Sequence, residues 1–282
     1  MPTDFNQRVI EEFRANAGRV GGPFEGARLV LLTTTGARSG ARHTTPLGYL
    51  PDGGERILVI ASAAGAPRHP GWFHNLLADP LVTVEDGVFT YEAEATVLVG
   101  AERDEVFARA VEADPGWAEY QARTSRVLPV VALRPTGGGV PGAVSPGEGL
   151  RLVHDAFRHE LAAIRREIAD SEAAGVGPGT GLGAQLRVNC LTFCQGLGFH
   201  HSVEDGGMFP HLERVRPDLA PTLARLRAEH ERIGALLGEL RRVVSAERAE
   251  PGHTLSEVDR LTVELEAHLA FEEAELIPLL DG

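Results

Sequence analysis

Lysine is absent from the 282-residue chain, and all 27 basic residues are arginine. A site that needs a cation must therefore use a guanidinium, which is planar, always charged and suited to forked contacts. Cysteine is scarce. Cys190 and Cys194 are the whole complement, which excludes a disulfide framework and suits a reduced, cytoplasmic setting. No apolar run reaches the roughly 20 residues that span a bilayer. The first residues, MPTDFNQRVIEEF, are acidic and lack the apolar core of a secretory signal. Positive charge is short overall, with 40 acidic residues and a net charge of −13. That balance argues against nucleic acid or an anionic membrane as partner, since both demand a cationic surface. What remains is ordinary for a globular protein, 43% hydrophobic and 24% charged, with length for one large domain or two of common size.

The chain divides near its middle. Residues 136–149, TGGGVPGAVSPGEG, are rich in glycine and proline and have no apolar period, so they read as a linker. The domains are placed at 1–136 and 148–282, joined by 137–147. Before the linker, short β-rich runs at 28–35, 45–50, 56–62, 81–85, 90–99 and 127–133 are separated by Gly, Pro and Asp. Helical stretches there are few, at 5–17, 72–78 and 102–112. After it the apolar period becomes helical, with four segments at 146–172, 183–214, 217–247 and 254–280. Long helices joined by short loops imply an up-down-up-down four-helix bundle. The expected fold is α+β in two domains, a small β-barrel followed by the bundle. The second half is also the more acidic: residues 144–282 hold 14 arginines against 23 acidic residues, and residues 1–143 hold 13 against 17.

Each bundle segment carries histidine: His154 and His159, His200 and His201, His230, and His268. His200 to Glu204 and His268 to Glu272 are both spacings of four, which put imidazole and carboxylate on one helix face a turn apart. A single such pair is an ordinary surface feature. Here HHSVEDGGMFPHL and HLAFEEAELIPLL repeat one frame, His-x-x-x-Glu-(Asp/Glu)-x-x-x-x-Pro-x-Leu, on alternate helices. Mixed imidazole and carboxylate donors inside a bundle suit non-haem iron. Residues from about 148 to 280 resemble the hemerythrin-like, His-His-Glu cation-binding family. Its order of His, His-x-x-x-Glu, His and His-x-x-x-Glu falls on His154, on His200 and Glu204, on His230, and on His268 and Glu272. The resemblance implies two irons bridged by the carboxylates. Oxygen-carrying members have one more histidine four residues after the third-helix ligand, where this chain has Gly234. His201 sits where some relatives place an added ligand and is kept as a candidate. His159 is expected to point away from the centre, and His211 to sit behind the ligands or on the surface. Cys190 and Cys194 share one helix side and read as small core residues, with a thiol redox pair as the other reading.

In the first half, residues 33–50, TTTGARSGARHTTPLGYL, run from a strand through a Gly-Ser-Gly turn carrying Arg38 and Arg42 into another strand. Turn amides with guanidinium groups make an anion site, and a surface turn with solvated arginines reads the same way. Residues 60–84, IASAAGAPRHPGWFHNLLADPLVTV, place Ser62 and Gly65 after a strand and Trp72 and Asn75 at the opening of a short helix. Together with WAEYQARTSRVLPVVAL at 117–133, these runs resemble the deazaflavin-dependent nitroreductase family over nearly all of residues 4–135. The resemblance implies a split β-barrel that binds the deazaflavin coenzyme F-420 and passes hydride to a quinone, nitro compound or similar acceptor. Carried over by position, the phosphate and tail contacts fall on Arg38, Ser39, His43 and Thr45, with Pro46 and Leu47 behind them. Ring-side contacts fall on Ser62, Ala63, Trp72 and Asn75, and Trp117 stacks near the ring. Ala37 and Ala63 stand where basic residues are usual, which leaves FMN as the alternative cofactor.

The chain thus reads as an enzyme, a deazaflavin-dependent oxidoreductase fused to a di-iron bundle. The alternative is a sensor or binding protein for O2, NO or iron in which the barrel only holds a cofactor.

Overall fold

The computed structural model describes residues 4–25, 27–53, 56–136, 145–173, 182–246 and 251–281. The chain forms two compact units, Met1–Gly142 with Gly183–Gln185, and Ala143–Leu182 with Leu186–Gly282.

The first unit is built on β1 (Leu29–Thr35), β2 (Arg42–Pro51), β3 (Ile57–Ile60), β4 (Leu81–Glu85), β5 (Thr90–Val97) and β6 (Val130–Pro135). They close into an antiparallel barrel in the order β1-β2-β3-β6-β5-β4. Four helices accompany it: α1 (Asp4–Ala15), α2 (Gly71–Ala78), α3 (Gly100–Ala113) and α4 (Gly116–Ala122). Strand alternation sorts the side chains into two layers. Val30, Leu32, Val59, Val131 and Leu133 point into the barrel with Trp72 and Phe73. Their neighbours point outward: Leu29 and Leu31 pack with Val9, Ile10 and Phe13 of α1, and Leu58, Ile60, Val130 and Ala132 with Val106, Phe107 and Ala110 of α3. Being covered on both sides explains why β1 reads as an unbroken apolar run. The pairings Thr35↔Arg42, Thr33↔Thr83 and Ile60↔Val130 show that β1 and β3 end where β2, β4 and β6 begin. That end of the barrel collects the β1–β2 turn, the β3–α2 connection and the chain entering β6.

The sequence reading misses α4 and starts the last strand three residues early. α4 is short and buries no residue fully. Just before it the Asp114 side chain accepts from the Gly116 N–H at 2.8 Å, an Asx-type turn. Residues 137–144 of the expected linker lie outside the described residues, and helix α5 already begins at Pro146.

The second unit comprises α5 (Pro146–Ala173), α6 (Ala184–Val203), α7 (Phe209–Val215), α8 (Ala220–Val244) and α9 (Pro251–Leu280). The expected second helix is therefore interrupted: a π turn spans Glu204–Met208. Pro210 explains the interruption. In a regular helix its ring would meet the carbonyl of Gly206, and a widened turn relieves that clash. Two apolar clusters fill the bundle. One contains Leu161, Phe193, Leu197, Ile233, Leu265 and their neighbours, and the other Leu150, Phe209, Leu226 and Leu276 with theirs. On α5, α6, α8 and α9 and in the π turn the metal-ligand candidates fall where one cluster gives way to the other, so the polar groups form one layer with hydrocarbon on both sides. Cys190 and Cys194 are fully buried in the first cluster and form no disulfide. Burial pushes the Cys194 thiol up to about 11, away from the thiolate that redox chemistry requires.

Candidate functional sites

The polar layer of the bundle contains all seven candidate ligands. Single donor atoms of His154, His200, Glu204 and Glu272 lie within 4.8 Å of one another, as do those of His201, His230 and His268. The two carboxylates reach both groups. Glu204 Oε1 is 3.1 Å from His200 Nε2, and its Oε2 is 3.6 Å from His230 Nε2. Glu272 Oε2 is 3.4 Å from His154 Nε2 and 3.6 Å from His268 Nε2. His201, which the motif leaves open, is drawn in: it is 5% exposed, and its ring stacks on His230 at 4.1 Å and 8°. Gly234 is exposed, and a Cβ there would meet no atom within 4 Å. The third imidazole of that group therefore comes from α6 rather than from α8. His159 and His211 are exposed on the surface.

Outside these ligands lies a ring of acids that motif spacing does not assign. His154 Nδ1 bonds Glu273 Oε1 at 2.9 Å, and Arg158 Nη1 donates to the same oxygen at 2.8 Å. His230 Nδ1 bonds Asp205 at 2.9 Å. His268 Nδ1 bonds Glu229 at 3.1 Å, and Arg225 holds the other Glu229 oxygen at 2.9 Å. Since a carboxylate can only accept, each Nδ1 carries the proton and each Nε2 presents a lone pair inward. The sequence carries a signal for them: Asp205 and Glu273 each follow a candidate glutamate ligand, and Glu229 precedes His230.

The inward atoms lack partners. All five Nε2 atoms and all four carboxylate oxygens of the seven residues are buried without a hydrogen bond among the described residues. Such groups are costly unless something not made of protein satisfies them. Burial, with neighbouring imidazoles adding, lowers His200 to about 3 and His201 to about 2. Burial, then the charges of Glu272 and Asp205, push Glu204 well above the usual carboxylate range. Neutral imidazoles and crowded carboxylates form a donor set that a cation stabilises and water does not.

The cofactor candidates of the first unit gather at the barrel end described above. The β1–β2 turn is drawn tight: a Cβ on Gly36 would lie 2.4 Å from Ser39 Oγ and 2.9 Å from His43 Nε2. Asn75 braces it, its Oδ1 accepting from the Ala37 N–H at 3.1 Å and its Nδ2 donating to Thr34 Oγ1 at 3.0 Å. Arg42 is tied to Thr83 at 2.5 Å. Arg38 is exposed and makes no hydrogen bond or ion pair among the described residues. Thr45, Pro46 and Leu47 lie further along β2, opposite Leu32, Leu31 and Val30. Ser62 and Ala63 open a turn in which Ala63, Ala64 and Gly65 all have positive φ, at 47°, 52° and 80°. Two alanines in that region are strained, and strain of this kind concentrates at functional sites. Trp72 is 6% exposed and packs in the barrel core. Trp117 is half-buried and packs edge-on to Tyr120 at 6.0 Å. A cavity of about 170 Å³ lined by Phe13, Arg14, Glu85 and Phe89 lies at the opposite end, where β4 finishes and β5 starts, and includes none of these candidates.

A six-stranded barrel carrying an arginine-bearing turn is joined in one chain to a four-helix bundle with a layer of histidines and carboxylates. Residues 6–135 match the family described as F420H(2)-dependent quinone reductase, and residues 145–280 match the hemerythrin HHE cation binding domain. F420H(2)-dependent quinone reductases of two Mycobacterium tuberculosis strains, H37Rv and CDC 1551, are each 38% identical over 138 residues, 43% of this chain and 83% of theirs. A solved structure of an F420-H2 dependent reductase (FDR-A) is 41% identical and covers 38% of this chain and 94% of its own, with a TM-score of 0.35. The chain belongs to the F420H(2)-dependent quinone reductase family through its first half, to which a hemerythrin HHE domain is fused.

Proposed function

We propose that this protein is an oxidoreductase that uses reduced coenzyme F-420 to reduce a quinone, nitro compound or similar small acceptor, and that its bundle holds two irons. The enzymatic reading is carried by one juxtaposition: the free Arg38 of the β1–β2 turn and the left-handed turn after Ser62 share one end of the barrel. Arg38, Ser39 and His43 would hold the phosphate and acidic tail, and the turn at Ser62 and Ala63 would face the ring. The bound deazaflavin supplies hydride, two electrons at once. The residues at this end include no strong nucleophile, which suits a site whose task is to position donor and acceptor.

For the bundle, the nine partnerless inward atoms support two metal ions with Glu204 and Glu272 shared between them. His154 and His200 would hold one ion, and His201, His230 and His268 the other. Iron there supplies one-electron chemistry and coordination positions for a small ligand. The uneven division leaves fewer protein donors on the His154–His200 side, which favours O2 or NO binding as a second activity of the bundle. No helix among the described residues is long and apolar enough to cross a membrane, and a cytoplasmic location accords with both reduced thiols.

The test pairs two titrations with metal analysis on the full chain. F-420 is expected to bind more tightly than FMN and, once reduced, to turn over anaerobically with a quinone. About two irons per chain are expected, and the double variant His200→Ala/His268→Ala should lose them. Tighter FMN binding would overturn the deazaflavin reading, and full metal content in the double variant would overturn the ligand assignment.

A further inference from the structure

One guanidinium beneath the β3–α2 connection has no place in either site as assigned so far. Arg126 Nε donates to the Ala66 carbonyl at 2.9 Å, Nη1 to the Ala61 carbonyl at 3.0 Å and Nη2 to the Ser62 carbonyl at 2.5 Å. Nη1 also donates to His69 Nδ1 at 3.1 Å. A single side chain thus grips both ends of the turn formed by residues 61–66. None of its partners among the described residues is a carboxylate, so its positive charge stays uncompensated. Arg126 is itself held from behind. Gln121 Nε2 donates to the Arg126 carbonyl at 2.8 Å, and Gln121 Oε1 accepts from the Leu128 N–H at 3.0 Å.

The gripped turn has an unusual backbone. Ser62 is right-handed, and Ala63, Ala64 and Gly65 are left-handed. The Gly65 and Ala66 N–H groups are spent within the turn, on the Ser62 and Ala63 carbonyls at 3.0 Å each. The Ala63 and Ala64 N–H groups donate to no group among the described residues. A right-handed residue followed by left-handed ones is the backbone arrangement that gathers N–H donors around an electron-rich atom. Strain at two alanines persists only where the surroundings impose it.

We propose that Arg126 is a positioning residue for cofactor binding, clamping the 61–66 turn so that the Ala63 and Ala64 amides, backed by its own charge, receive the electron-rich carbonyl edge of the deazaflavin ring. This rests on the deazaflavin reading above. It gives the chain a cation at the ring, where Ala63 supplies none. A lysine cannot substitute, because one ammonium does not span three carbonyls set around a planar fork.

The experiment uses the full chain with Arg126→Gln, Arg126→Lys and Gly65→Ala. The readouts are F-420 fluorescence titration, quinone turnover, thermal melting and amide exchange over residues 61–66. Removing contacts of this charge-assisted kind is expected to raise the F-420 dissociation constant about ten- to hundred-fold in both Arg126 variants. The KM for the quinone should stay at the wild-type value, which a general loss of structure would not allow. Exchange over 61–66 should accelerate while β1 and β6 remain protected. Gly65→Ala leaves Arg126 intact but moves the turn, since its Cβ would lie 2.7 Å from both Arg123 Cβ and the Tyr120 carbonyl; it should weaken F-420 in the same way. Wild-type affinity and exchange in the Arg126 variants, or full rescue by lysine, overturns the proposal. A wild-type chain that fails to bind F-420 overturns the proposed function instead, and the exchange measurement still decides whether Arg126 is the clamp.

Discussion

Glu204→Gln is expected to abolish metal binding and, in the metal-free protein, to increase stability. Glu204 is 3% exposed, and neither carboxylate oxygen accepts a hydrogen bond among the described residues. Burial first, then Glu272 and Asp205, raise its carboxyl above the ordinary 4.5. Without metal the folded protein therefore keeps a proton on Glu204 at neutral pH, whereas the unfolded chain has released it. The native state then holds more protons, so stability falls as pH rises, by about 1.4 kcal/mol per pH unit for one proton. His200 and His201 act the other way and lower down. Their folded values near 3 and 2 lie below the ordinary 6.5, so they destabilise the fold only where the unfolded chain takes up protons that the native state refuses. From about pH 7 to 9 the Glu204 effect stands clear of them.

A glutamine carries no such proton. The metal-free variant should gain on the wild type by about 1.4 kcal/mol for each unit between pH 7 and 9, or roughly 2.7 kcal/mol over the window. Metal binding reverses the preference, because the carboxylate must ionise to ligate. Wild-type metal affinity should therefore tighten about tenfold per pH unit over the same range. The assay is urea unfolding of chelator-stripped protein at pH 7, 8 and 9, read on the helical transition, with chelator competition for Fe(II) in the same buffers. A variant less stable than wild type without metal, or a difference that does not change with pH, would refute the reasoning.

Glu273→Gln keeps the shape beside His154 but weakens the acceptor that orients it, and metal affinity should fall about ten- to hundred-fold; unchanged affinity by chelator competition would contradict this. Trp72→Ala removes a ring from the barrel core and should cost about 3–5 kcal/mol of barrel stability; an unchanged melting transition with weakened F-420 binding would return Trp72 to the ring side of the site. Arg38→Ala should raise the F-420 dissociation constant about ten- to hundred-fold and flatten its salt dependence, and the isolated first half is the material for that titration. Residues 1–136 and 148–282 should each express as folded units; insolubility of either alone would show that the two halves depend on each other.

The bundle centre was legible because its chemistry and its periodicity agree. His200 to Glu204 and His268 to Glu272 are spaced as a helix face requires, and a pattern that repeats on alternate helices constrains where the side chains converge. His201 was ambiguous for a physical reason. It is adjacent to His200, so one regular helix face cannot hold both, and only the packing shows that the two imidazoles serve different groups on either side of Glu204. Asp205, Glu229 and Glu273 are readable only as neighbours of candidate ligands, because hydrogen bonds to Nδ1 depend on rotamers rather than on spacing. In the barrel, short β-rich runs bounded by Gly, Pro and Asp placed the strands, but the setting of Trp72 is a long-range matter: whether an aromatic beside a glycine-rich turn faces a ligand or a core depends on what the barrel interior leaves to be filled. Arg126 shows the same limit. Its partners lie about 60 residues earlier in the chain, and no local pattern links an arginine before a strand to the carbonyls of a distant turn.

The two chemistries joined in this chain differ in how they handle electrons, and that difference constrains the proposed function. A reduced deazaflavin gives up hydride, two electrons together, and its site needs only an acceptor held at the right distance and angle. An iron centre of histidines and carboxylates changes oxidation state one electron at a time. Direct transfer between them is therefore disfavoured, and a two-electron acceptor must stand between if the sites are coupled at all. Coupling would then appear as a dependence of F-420 oxidation on a small molecule that the bundle binds, such as O2. Independence would appear as identical quinone turnover in the wild type and in the metal-free His200→Ala/His268→Ala protein. The layered bundle favours independence: its donors lie between two apolar clusters, and two of the three acids that orient them, Glu229 and Glu273, are neutralised by Arg225 and Arg158 of the same bundle. The acids that orient His154, His230 and His268 all belong to the bundle's own segments. Turnover with quinone should then be the same with and without iron, and a rate that rises with iron loading under anaerobic conditions would refute it.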